Sequence, residues 1–498
     1  MHFFYGGAIC YYISMFKSAV LAFAVQKNIT VTGLTFSSKD VQPGYAFFAL
    51  KGANADGNLF IPDAIKRGAA LIVSAQPAVA DVGVPFFHSA AIDKDMADAA
   101  YEFYGRPSDD LHLWGITGTK GKTSIAYLLE SILKTAGHKT GVFGTVNYRA
   151  NGVEICKAPN TTPAALTLFK LLAQMKKANC TDIVMEVSSH ALELERVRNI
   201  WYDTALFTNL QRDHLDFHKT FENYFAAKVK LFENLANPAN PKPNRTAVIN
   251  ADDPYGQRLI EMFKGRVKII TFGINGAADF KATNIQEFLT HTAFEINGVP
   301  MQINLLGKHN VYNALAACAA SYANGISPED IARGLAALPG VPGRMERIDE
   351  GQNFFAYVDF AYTNESLQRA FDTVRPFKKG RIFLVFGCGG QRDRTKRPLM
   401  GRTACEQADF VFLTNDNPRC EDPEQIFNDI LTGMHGCKNY VVEPDRKAAI
   451  FRALSEAKKD DIVIVAGKGH EDYQLIGTEK RHFSDQETVR TFLRSNHV

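Results

Sequence analysis

The sequence has no excess of charge of one sign. Its 56 lysines and arginines nearly balance its 53 aspartates and glutamates, which leaves a formal net charge of +3. A strongly basic surface is what draws nucleic acid or an anionic membrane to a protein, so we expect neither as a partner. Internal repeats and low-complexity stretches are lacking too, and 46% apolar with 22% charged residues is typical of a soluble globular protein.

Paired cysteines and a long apolar run are also missing. The eight cysteines form no CxxC pair and no metal-ligand spacing, so reduced thiols in a cytoplasmic protein are expected. The opening stretch MHFFYGGAICYYISMF is far shorter than the roughly 20 residues that span a bilayer, and it lacks the basic start of a signal peptide. We expect no membrane insertion, and Met15 is the expected translation start.

At 498 residues the chain is too long for a single hydrophobic core. The order of its strand-like and helix-like stretches indicates three α/β domains: 1–107, 108–337 and 338–498. GRPSDD and ALPGVPGRMERI supply the Gly- and Pro-rich boundaries. In the central segment, short apolar strands end in polar residues and alternate with helices. This indicates a mostly parallel sheet with an active site at the carboxyl ends of its strands. The last segment repeats the pattern and is expected to be a dinucleotide-fold-like α/β domain.

The stretch GITGTKGKTS, residues 115–124, reads as a phosphate-binding loop. Gly121, Lys122 and Thr123 fit the end of the Walker A motif, although Ile116 stands where that motif has its first glycine. Backbone N–H groups would hold phosphates, Lys122 would neutralise them, and the hydroxyl of Thr123 or Ser124 could reach Mg²⁺. The alternative is a Gly-rich turn that only caps a helix.

The flanks of this loop support the phosphate-binding interpretation. The apolar run LHLWGITG predicts a strand before it. After it, SIAYLLESILKTAG has apolar residues at positions i, i+3, i+4, i+7 and i+8, which predicts an amphipathic helix with Gly137 at its C-terminal cap.

Two strand ends carry residues suited to a metal. Glu186 ends the strand-like run DIVMEVSS, and His214 follows the strand-like run TALFTNL. Each alone is more commonly a cap or a satisfied polar residue, but beside bound phosphates they make a plausible metal position. Lys228 lies on the apolar helix FENYFAAKVKLF, where a surface lysine with an apolar stem is the ordinary interpretation.

Seven stretches occur in the order found in one enzyme family. They are GTKGKTS, NTTP (160–163), MEVSSHAL, TNLQRDHLDFH, YFAAKVKLF, GKHNVYNALAA (307–317) and PGRMERI. In these motifs the chain resembles the Mur ligases from about residue 33 to FSDQE near its C-terminus, and that family spells its loop GTxGK[ST]. The resemblance implies ATP-dependent amide ligation: ATP phosphorylates a substrate carboxylate, an amine attacks the acyl phosphate, and phosphate leaves.

The resemblance also implies roles at the nucleotide. Lys122 would bridge the β- and γ-phosphates and Thr123 would hold a first Mg²⁺, while Glu186, His214 and a carbamylated Lys228 (N6-carboxylysine) would hold a second. A carbamate turns a cationic side chain into an oxygen ligand, which Mg²⁺ prefers. Lys122, Glu186, His214 and Lys228 would form the catalytic set. The ATP-binding residues implied are Gly118, Thr119, Lys120, Gly121, Lys122, Thr123, Ser124, Asn313, Arg344 and Asp359.

The second substrate implied is a UDP-N-acetylmuramoyl dipeptide. Ser38 matches the family serine expected to bind UDP, although Ser37 and Lys39 replace the usual Asp and Arg. The residues expected to bind the peptidyl end are Thr161, Thr162, Ser188 and Arg196. Serine and threonine hydroxyls in loops are otherwise common as local caps.

The amino acid implied is meso-diaminopimelate. Family members that add it carry DNPR and GKGHE, and this chain has both. The residues expected to bind it are Arg392, Asp416, Asn417, Arg419, Gly467 and Glu471. Arg419 and Arg392 can clamp its distal carboxylate, and Glu471 can pair its distal ammonium, so the expected activity joins it to UDP-N-acetylmuramoyl-L-alanyl-D-glutamate. A monomer is expected.

One motif departs from the family pattern. DFAYTNES replaces DYAHTP, so Tyr362 stands for His and Asn364 for Pro. Alternatives of the same class are a lysine-adding ligase, a polyglutamylating enzyme or a peptide recycler, and the presence of both DNPR and GKGHE argues against the recycler. A P-loop ATPase switch or motor is the alternative from another class, and a degenerate scaffold is disfavoured because the four expected catalytic residues are present.

Overall fold

The computed structural model describes residues 17–52, 55–77 and 83–495, which form two compact units. The first unit contains residues up to 122 together with 133–279 and 318–326, and the second contains the remainder. The expected start at Met15 lies outside the described residues. None of the helices in the described ranges is long and apolar enough to cross a membrane. The division into three domains stays a prediction.

The helices, numbered in chain order, are α1 Ala19–Gln26, α2 Ile61–Lys66, α3 Ile92–Phe103, α4 Lys122–Thr135, α5 Ala165–Lys177, α6 Ser189–Glu193, α7 Leu215–His218, α8 Phe221–Ala236, α9 Pro254–Phe263, α10 Lys308–Ala323, α11 Pro328–Ala337, α12 Asn364–Val374, α13 Lys396–Gln407, α14 Pro423–Leu431, α15 Arg446–Glu456 and α16 Asp485–Ser495. Short 3₁₀ turns cover Ser38–Asp40, Gly57–Phe60 and Arg375–Phe377.

The first unit holds a small parallel sheet and most of a larger one. The small sheet contains, in spatial order, β1 Gly33–Thr35, β2 Tyr45–Ala49, β3 Leu71–Ser74 and β4 Phe86–His88. The strands of the larger sheet in this unit are β5 His112–Thr117, β6 Thr140–Phe143, β7 Asn147–Ala150, β8 Val153–Lys157, β9 Asp182–Glu186, β10 Thr204–Phe207, β11 Thr246–Asn250 and β12 Lys268–Gly273. Their order is β12-β11-β10-β5-β9-β6-β7-β8, parallel from β12 to β6 and antiparallel beyond.

The second unit is also α/β. Its antiparallel strands are β13 Phe280–Glu287, β14 Thr292–Ile296 and β15 Val299–Ile303. A six-stranded sheet and a hairpin contain β16 Glu346–Ile348, β17 Phe355–Asp359, β18 Ile382–Phe386, β19 Phe410–Leu413, β20 Tyr440–Val442, β21 Ile462–Ala466, β22 Tyr473–Ile476 and β23 Glu479–His482. The sheet order is β16-β17-β21-β18-β19-β20, parallel except at β16. The expected α/β class with mostly parallel sheets is confirmed.

The parallel strands are buried on both faces, as their continuous apolar runs predict. In β18, Leu384 and Phe386 belong to one apolar cluster while Phe383 and Val385 belong to another, because alternate side chains of a strand point to opposite faces. Each strand thus delivers its last residue rigidly to the carboxyl edge of the sheet. The polar loops of the site begin at this edge.

Candidate active site

The predicted phosphate loop is the connection between β5 and α4. It contains Gly118, Thr119, Lys120 and Gly121, with Lys122 as the first residue of α4. The five apolar positions predicted for the helix are fully buried. Gly137 donates to the carbonyl of Lys134 and His138 to that of Leu133, which is the expected C-terminal cap. Thr123 and Ser124 are buried in the first turn.

The loop is clamped by the residues that follow β10. The side-chain oxygen of Asn209 accepts from the Lys120 N–H at 3.1 Å, and its amide nitrogen donates to the Lys120 carbonyl at 3.2 Å. Thr208 Oγ1 donates to the same carbonyl at 2.7 Å. A Cβ on Gly118 would lie 1.9 Å from Thr208 Oγ1, and the φ of Gly118 is +140°. Glycine is therefore required at this position.

Lys228 is buried beside the loop, so the surface-lysine interpretation is wrong. Its side chain is 1% exposed, and its Nζ donates to the Gly118 carbonyl at 3.0 Å and lies 4.5 Å from the centre of the Tyr224 ring. Lys122 Nζ donates to the same carbonyl at 2.8 Å and to that of Thr119 at 3.2 Å. Burial lowers the pKa of Lys228 well below its usual range, and Lys122 lowers it further.

His214 lies in the same neighbourhood, in a left-handed conformation with φ of 53°. Its ring centre lies 5.9 Å from that of Tyr224. Burial lowers the pKa of His214, and the nearby Lys122 and Lys228 lower it further while Asp213 opposes them. The imidazole is therefore neutral at pH 7, the form that binds metal ions.

Glu186 ends β9, where it pairs in register with Ile116 of β5. The carboxylate is 1% exposed and accepts from the N–H of Thr145 at 2.8 Å and from its hydroxyl at 3.0 Å. This strand pairing brings Glu186 to the start of the phosphate loop, as its strand-end position predicts. Thr145, which follows β6, orients it.

The four residues expected at the peptidyl end lie close together. Thr162 Oγ1 donates to the Glu186 carbonyl at 2.7 Å and accepts from the Ser188 N–H at 3.1 Å. Arg196 Nη1 donates to the Thr162 carbonyl at 3.0 Å, and the hydroxyl of Thr161 lies 3.1 Å from that of Thr145.

Ser188 also caps α6, because its hydroxyl accepts from the Ala191 N–H at 3.2 Å. Ser38, expected at UDP, begins the 3₁₀ turn Ser38–Asp40 and is buried; a hydrogen bond from it lowers the pKa of Asp63.

Three more ATP-binding candidates lie in the second unit. Asn313, on α10, is buried and donates to Asn310 Oδ1 at 2.8 Å. Asp359 ends β17, where Oδ2 accepts from the Met345 N–H at 2.6 Å, and burial raises the pKa of its carboxyl to about 6. The Arg344 guanidinium lies 5.3 Å from the Phe360 ring centre.

The loops after β19 and β21 form one polar cluster. Asn417 Nδ2 donates to Glu471 Oε2 at 2.9 Å, and the ammonium of Lys468 lies 3.3 Å from the same oxygen and 3.2 Å from Asn417 Oδ1. Lys468 is fully buried. Gly467 directly follows β21, and a Cβ on it would lie 2.6 Å from Asp416 Oδ2. Asp416, Asn417, Gly467 and Glu471 are therefore brought together.

Arg419 is held against the loop that follows β18. Its Nη1 donates to the Gly390 carbonyl at 2.7 Å, and its backbone N–H donates to the Leu475 carbonyl at 2.9 Å. A Cβ on Gly389 would lie 2.9 Å from Arg419 Nη1 and 3.8 Å from Arg392 Cγ. Both arginines expected at the amino acid therefore border Gly389.

The donor set fits Mg²⁺ on one condition. In the described part of the chain, no group of three or more His, Cys, Asp and Glu side chains could hold a metal ion. Glu186 offers carboxylate oxygens and His214 a neutral ring nitrogen, but an unmodified Lys228 offers only a hydrogen-bond donor. A carbamate on Lys228 would supply the missing oxygens.

Several residues around the site were not predicted. Thr145, Asn209, Tyr224 and Lys468 contact predicted site residues. Asn209 and Tyr224 lie within the same stretches, TNLQRDHLDFH and FENYFAAKVKLF, as His214 and Lys228. The polar residue next to a strand end was a usable signal for Asn209.

Family comparisons cover most of the chain. The Mur ligase family catalytic domain matches residues 30–104, the Mur ligase middle domain residues 116–321, and the Mur ligase glutamate ligase domain residues 343–469.

Similar proteins and structures extend over nearly the whole length. The UDP-N-acetylmuramoyl-L-alanyl-D-glutamate--2,6-diaminopimelate ligase of Solibacter usitatus (strain Ellin6076) is 45% identical, covering 93% of this chain and 94% of its own. The protein of the same name from Bacillus cereus (strain ATCC 14579) is 43% identical with the same coverage. A solved structure of a ligase of that name is 31% identical, with a TM-score of 0.67 over 94% of this chain and 96% of its own.

A MurF ligase from Thermotoga maritima in complex with ADP shares the fold, with a TM-score of 0.60 at 20% identity over 94% of this chain and 98% of its own. The family matches and the full-length relatives agree with the motif order read from the sequence, and the chain belongs to the Mur ligase family.

Proposed function

We propose that this protein joins meso-diaminopimelate to the D-glutamyl end of UDP-N-acetylmuramoyl-L-alanyl-D-glutamate in peptidoglycan precursor synthesis. The names of its full-length relatives support the reaction. The observation that carries the choice of amino acid is that Glu471 and Arg419 lie on two strand-end loops in contact: Asn417, two residues before Arg419, donates to Glu471 at 2.9 Å. An acid and a guanidinium match the ammonium and carboxylate at the far end of meso-diaminopimelate.

The residues of the first unit serve the activation step. A substrate carboxylate oxygen attacks the γ-phosphorus of ATP, and the bond from that phosphorus to the bridging oxygen breaks. The products are ADP and an acyl phosphate. The loop N–H groups and Lys122 hold and neutralise the phosphates. The hydroxyls of Thr161, Thr162 and Ser188, together with Arg196, would orient the peptidyl carboxylate. Ser38 would bind the UDP end.

Magnesium would be held by Thr123 at one position and by Glu186, His214 and carbamylated Lys228 at another. When bound, it neutralises charge on the transferring phosphoryl group. The chain's contribution is to keep these ligands in place: Thr145 orients Glu186, and partial desolvation together with the nearby Lys122 and Lys228 lowers the pKa of His214, which favours its neutral form.

The residues of the second unit serve the amine. The neutral amino group attacks the acyl carbon, phosphate leaves with the former carboxylate oxygen, and the nitrogen loses a proton to give the amide. Asn417 and Lys468 bind Glu471 through Oε2, and the described residues provide no hydrogen-bond donor for Oε1. That oxygen can accept from the distal ammonium, while Arg419 and Arg392 receive the distal carboxylate.

We further propose that Asn313, Arg344 and Asp359 contact ATP, with Asp359 at the ribose, and that the protein acts as a cytoplasmic monomer. The test is phosphate release by the purified protein with a panel of UDP-muramoyl acceptors and amino acids. We expect turnover only when ATP, the UDP dipeptide and meso-diaminopimelate are all present. ATP hydrolysis without an amino acid would instead favour an ATPase switch.

A further inference from the structure

Arg397 is a fully buried cation that the proposed reaction does not use. It lies in the first turn of α13, five residues after Arg392, and its side chain is 0% exposed. Burying a guanidinium is costly unless it is paired and hydrogen-bonded. The partners of this side chain therefore indicate what it stabilises.

Those partners are two carboxylates and one backbone oxygen. Arg397 Nη1 donates to Glu421 Oε1 at 2.7 Å and to Asp429 Oδ2 at 2.8 Å. Its Nη2 donates to Glu421 Oε2 at 2.8 Å and to the Gly389 carbonyl at 3.3 Å. The bidentate pair with Glu421 defines both the distance and the plane of the two groups.

Glu421 connects Arg397 to the loop that follows β18. Its Oε2 also accepts from the backbone N–H of Gln391 at 2.7 Å. Arg397 and Glu421 thus hold both ends of the segment 389–391, one through the Gly389 carbonyl and the other through the Gln391 N–H. The hydrogen bond from Arg397 is the largest cause that lowers the pKa of Glu421, to about 2, so the pair stays charged at neutral pH.

The held segment is the one that orients Arg419. Between its ends, the Gly390 carbonyl accepts from Arg419 Nη1 at 2.7 Å, and the Gly390 N–H donates to the Asn417 carbonyl at 2.9 Å. A Cβ on Gly390 would lie 1.9 Å from the Pro418 carbonyl oxygen. The segment therefore packs directly on the DNPR loop, and a displacement of one would displace the other.

We propose that Arg397 is a specificity-determining positioning residue. Through Glu421 and Gly389 it fixes the segment 389–391, which aims the Arg419 guanidinium at the distal carboxylate of the amino acid. The proposal rests on the proposed function, because it concerns the residues expected to bind the same amino acid. An amino acid with an ammonium alone at its far end makes no use of this arrangement.

The test compares two amino acids in variants of the pair. In Arg397→Met and Glu421→Ala, we expect kcat/KM for meso-diaminopimelate to fall by at least roughly 10-fold, as for a misplaced polar contact. The value for L-lysine should change less than about 2-fold, and KM for ATP should stay unchanged, since neither depends on the aim of Arg419. The ratio of kcat/KM for meso-diaminopimelate to that for L-lysine is the decisive measurement, because a general loss of stability would not change it.

A matched control lies at the opposite end of the same sheet. Arg381 and the buried Asp461 pair at 3.0 Å before β18 and β21, so Asp461→Asn weakens the same sheet away from its carboxyl edge. It should leave the amino-acid ratio unchanged. Should Arg397→Met fail to fold, Glu421→Gln keeps the shape of the pair and tests the same ratio in folded protein.

The outcomes separate the two proposals. Folded variants that keep the wild-type ratio, or an equal loss for both amino acids, would overturn the role of Arg397 while leaving the activity intact. No turnover of meso-diaminopimelate by the wild type would overturn the proposed function, and the role of Arg397 with it.

Discussion

The side-chain nitrogens of Lys122 and Lys228 donate to one oxygen, the carbonyl of Gly118, at 2.8 and 3.0 Å. Two ammonium groups at one backbone acceptor would repel each other, and the burial of Lys228 together with this repulsion lowers the pKa of Lys228. This arrangement favours the binding of anionic groups. Phosphate would neutralise Lys122, and conversion of Lys228 to a carbamate would turn a repulsive pair into an attractive one.

Lys122→Ala should abolish ligation while leaving binding of the UDP precursor within about 2-fold. The lysine serves the phosphates, and removing one preorganised charge typically costs roughly 10²–10³-fold in kcat. Coupled phosphate release and calorimetric binding of the UDP dipeptide measure the two quantities. Lys177→Ala, an exposed lysine at the end of α5, is the control. Near-normal turnover in the variant would refute the phosphate-loop assignment.

Lys228 should carry a carbamate in the active protein. Mass analysis of the intact site is expected to show one added CO₂, and Lys228→Ala should lose most activity because it lacks the oxygen ligands. Small carboxylic acids should partly restore that variant by supplying oxygens to the metal. A bare lysine found in the active, metal-bound protein contradicts the hypothesis.

Tyr362 should act at the nucleotide in place of the family histidine. Its ring is 47% exposed, packs edge-on against Phe360 at 4.9 Å, and lies 5.0 Å from Lys396 Nζ. Tyr362→Ala should therefore raise KM for ATP selectively, whereas Tyr362→His should keep activity and Tyr362→Phe, which retains the ring, serves as the control. An unchanged ATP dependence in all three variants would make the position peripheral.

The pair of Glu421 with Arg397 should make stability depend on pH. Hydrogen bonds from Arg397 and Gln391 lower the pKa of Glu421 from 4.5 to about 2. A carboxyl with a depressed folded-state pKa contributes stability above pH 4.5 that is lost as the pH falls towards 2. We expect the thermal midpoint to fall across this window, and less steeply in Arg397→Met. Equal slopes for the two proteins would show that the pair is not a source of the dependence.

The sequence predicted those parts of the site that depend on local pattern. Apolar strands followed by polar residues located Glu186 and Asp416 at the carboxyl edge, because a parallel sheet delivers all its strand ends to one side. The pattern could indicate Asn209 as a polar residue next to a strand end, but it could not predict which residues Thr145 and Asn209 contact, since these contacts join residues 41 and 89 positions apart. It also could not predict the left-handed backbone of His214.

The choice of amino acid follows from the charges around Arg419. With lysine bound, Arg419 and Arg392 would face no distal carboxylate, so the half-buried guanidinium of Arg419 would keep the Gly390 carbonyl as an acceptor but would lack an anionic partner. A site built around such pairing can reject the analogue that lacks the group by roughly 10⁴-fold, about 5 kcal/mol. Because water can enter the site, we expect kcat/KM for meso-diaminopimelate to exceed that for L-lysine by at least roughly 10³-fold.

Arg419→Ala should reduce the difference in kcat/KM between the two amino acids. The reduction should come from a lower value for meso-diaminopimelate and not from a higher value for L-lysine. In Arg419→Ala, the Gly390 carbonyl that accepts from Arg419 at 2.7 Å would lose its donor. Arg419→Lys is the conservative comparison, because lysine keeps the positive charge but lacks the bidentate geometry of the guanidinium. Steady-state phosphate release with each amino acid supplies the ratio. Comparable use of both amino acids by the wild type would refute the assignment of meso-diaminopimelate as the substrate, and a clear preference for lysine would assign lysine instead.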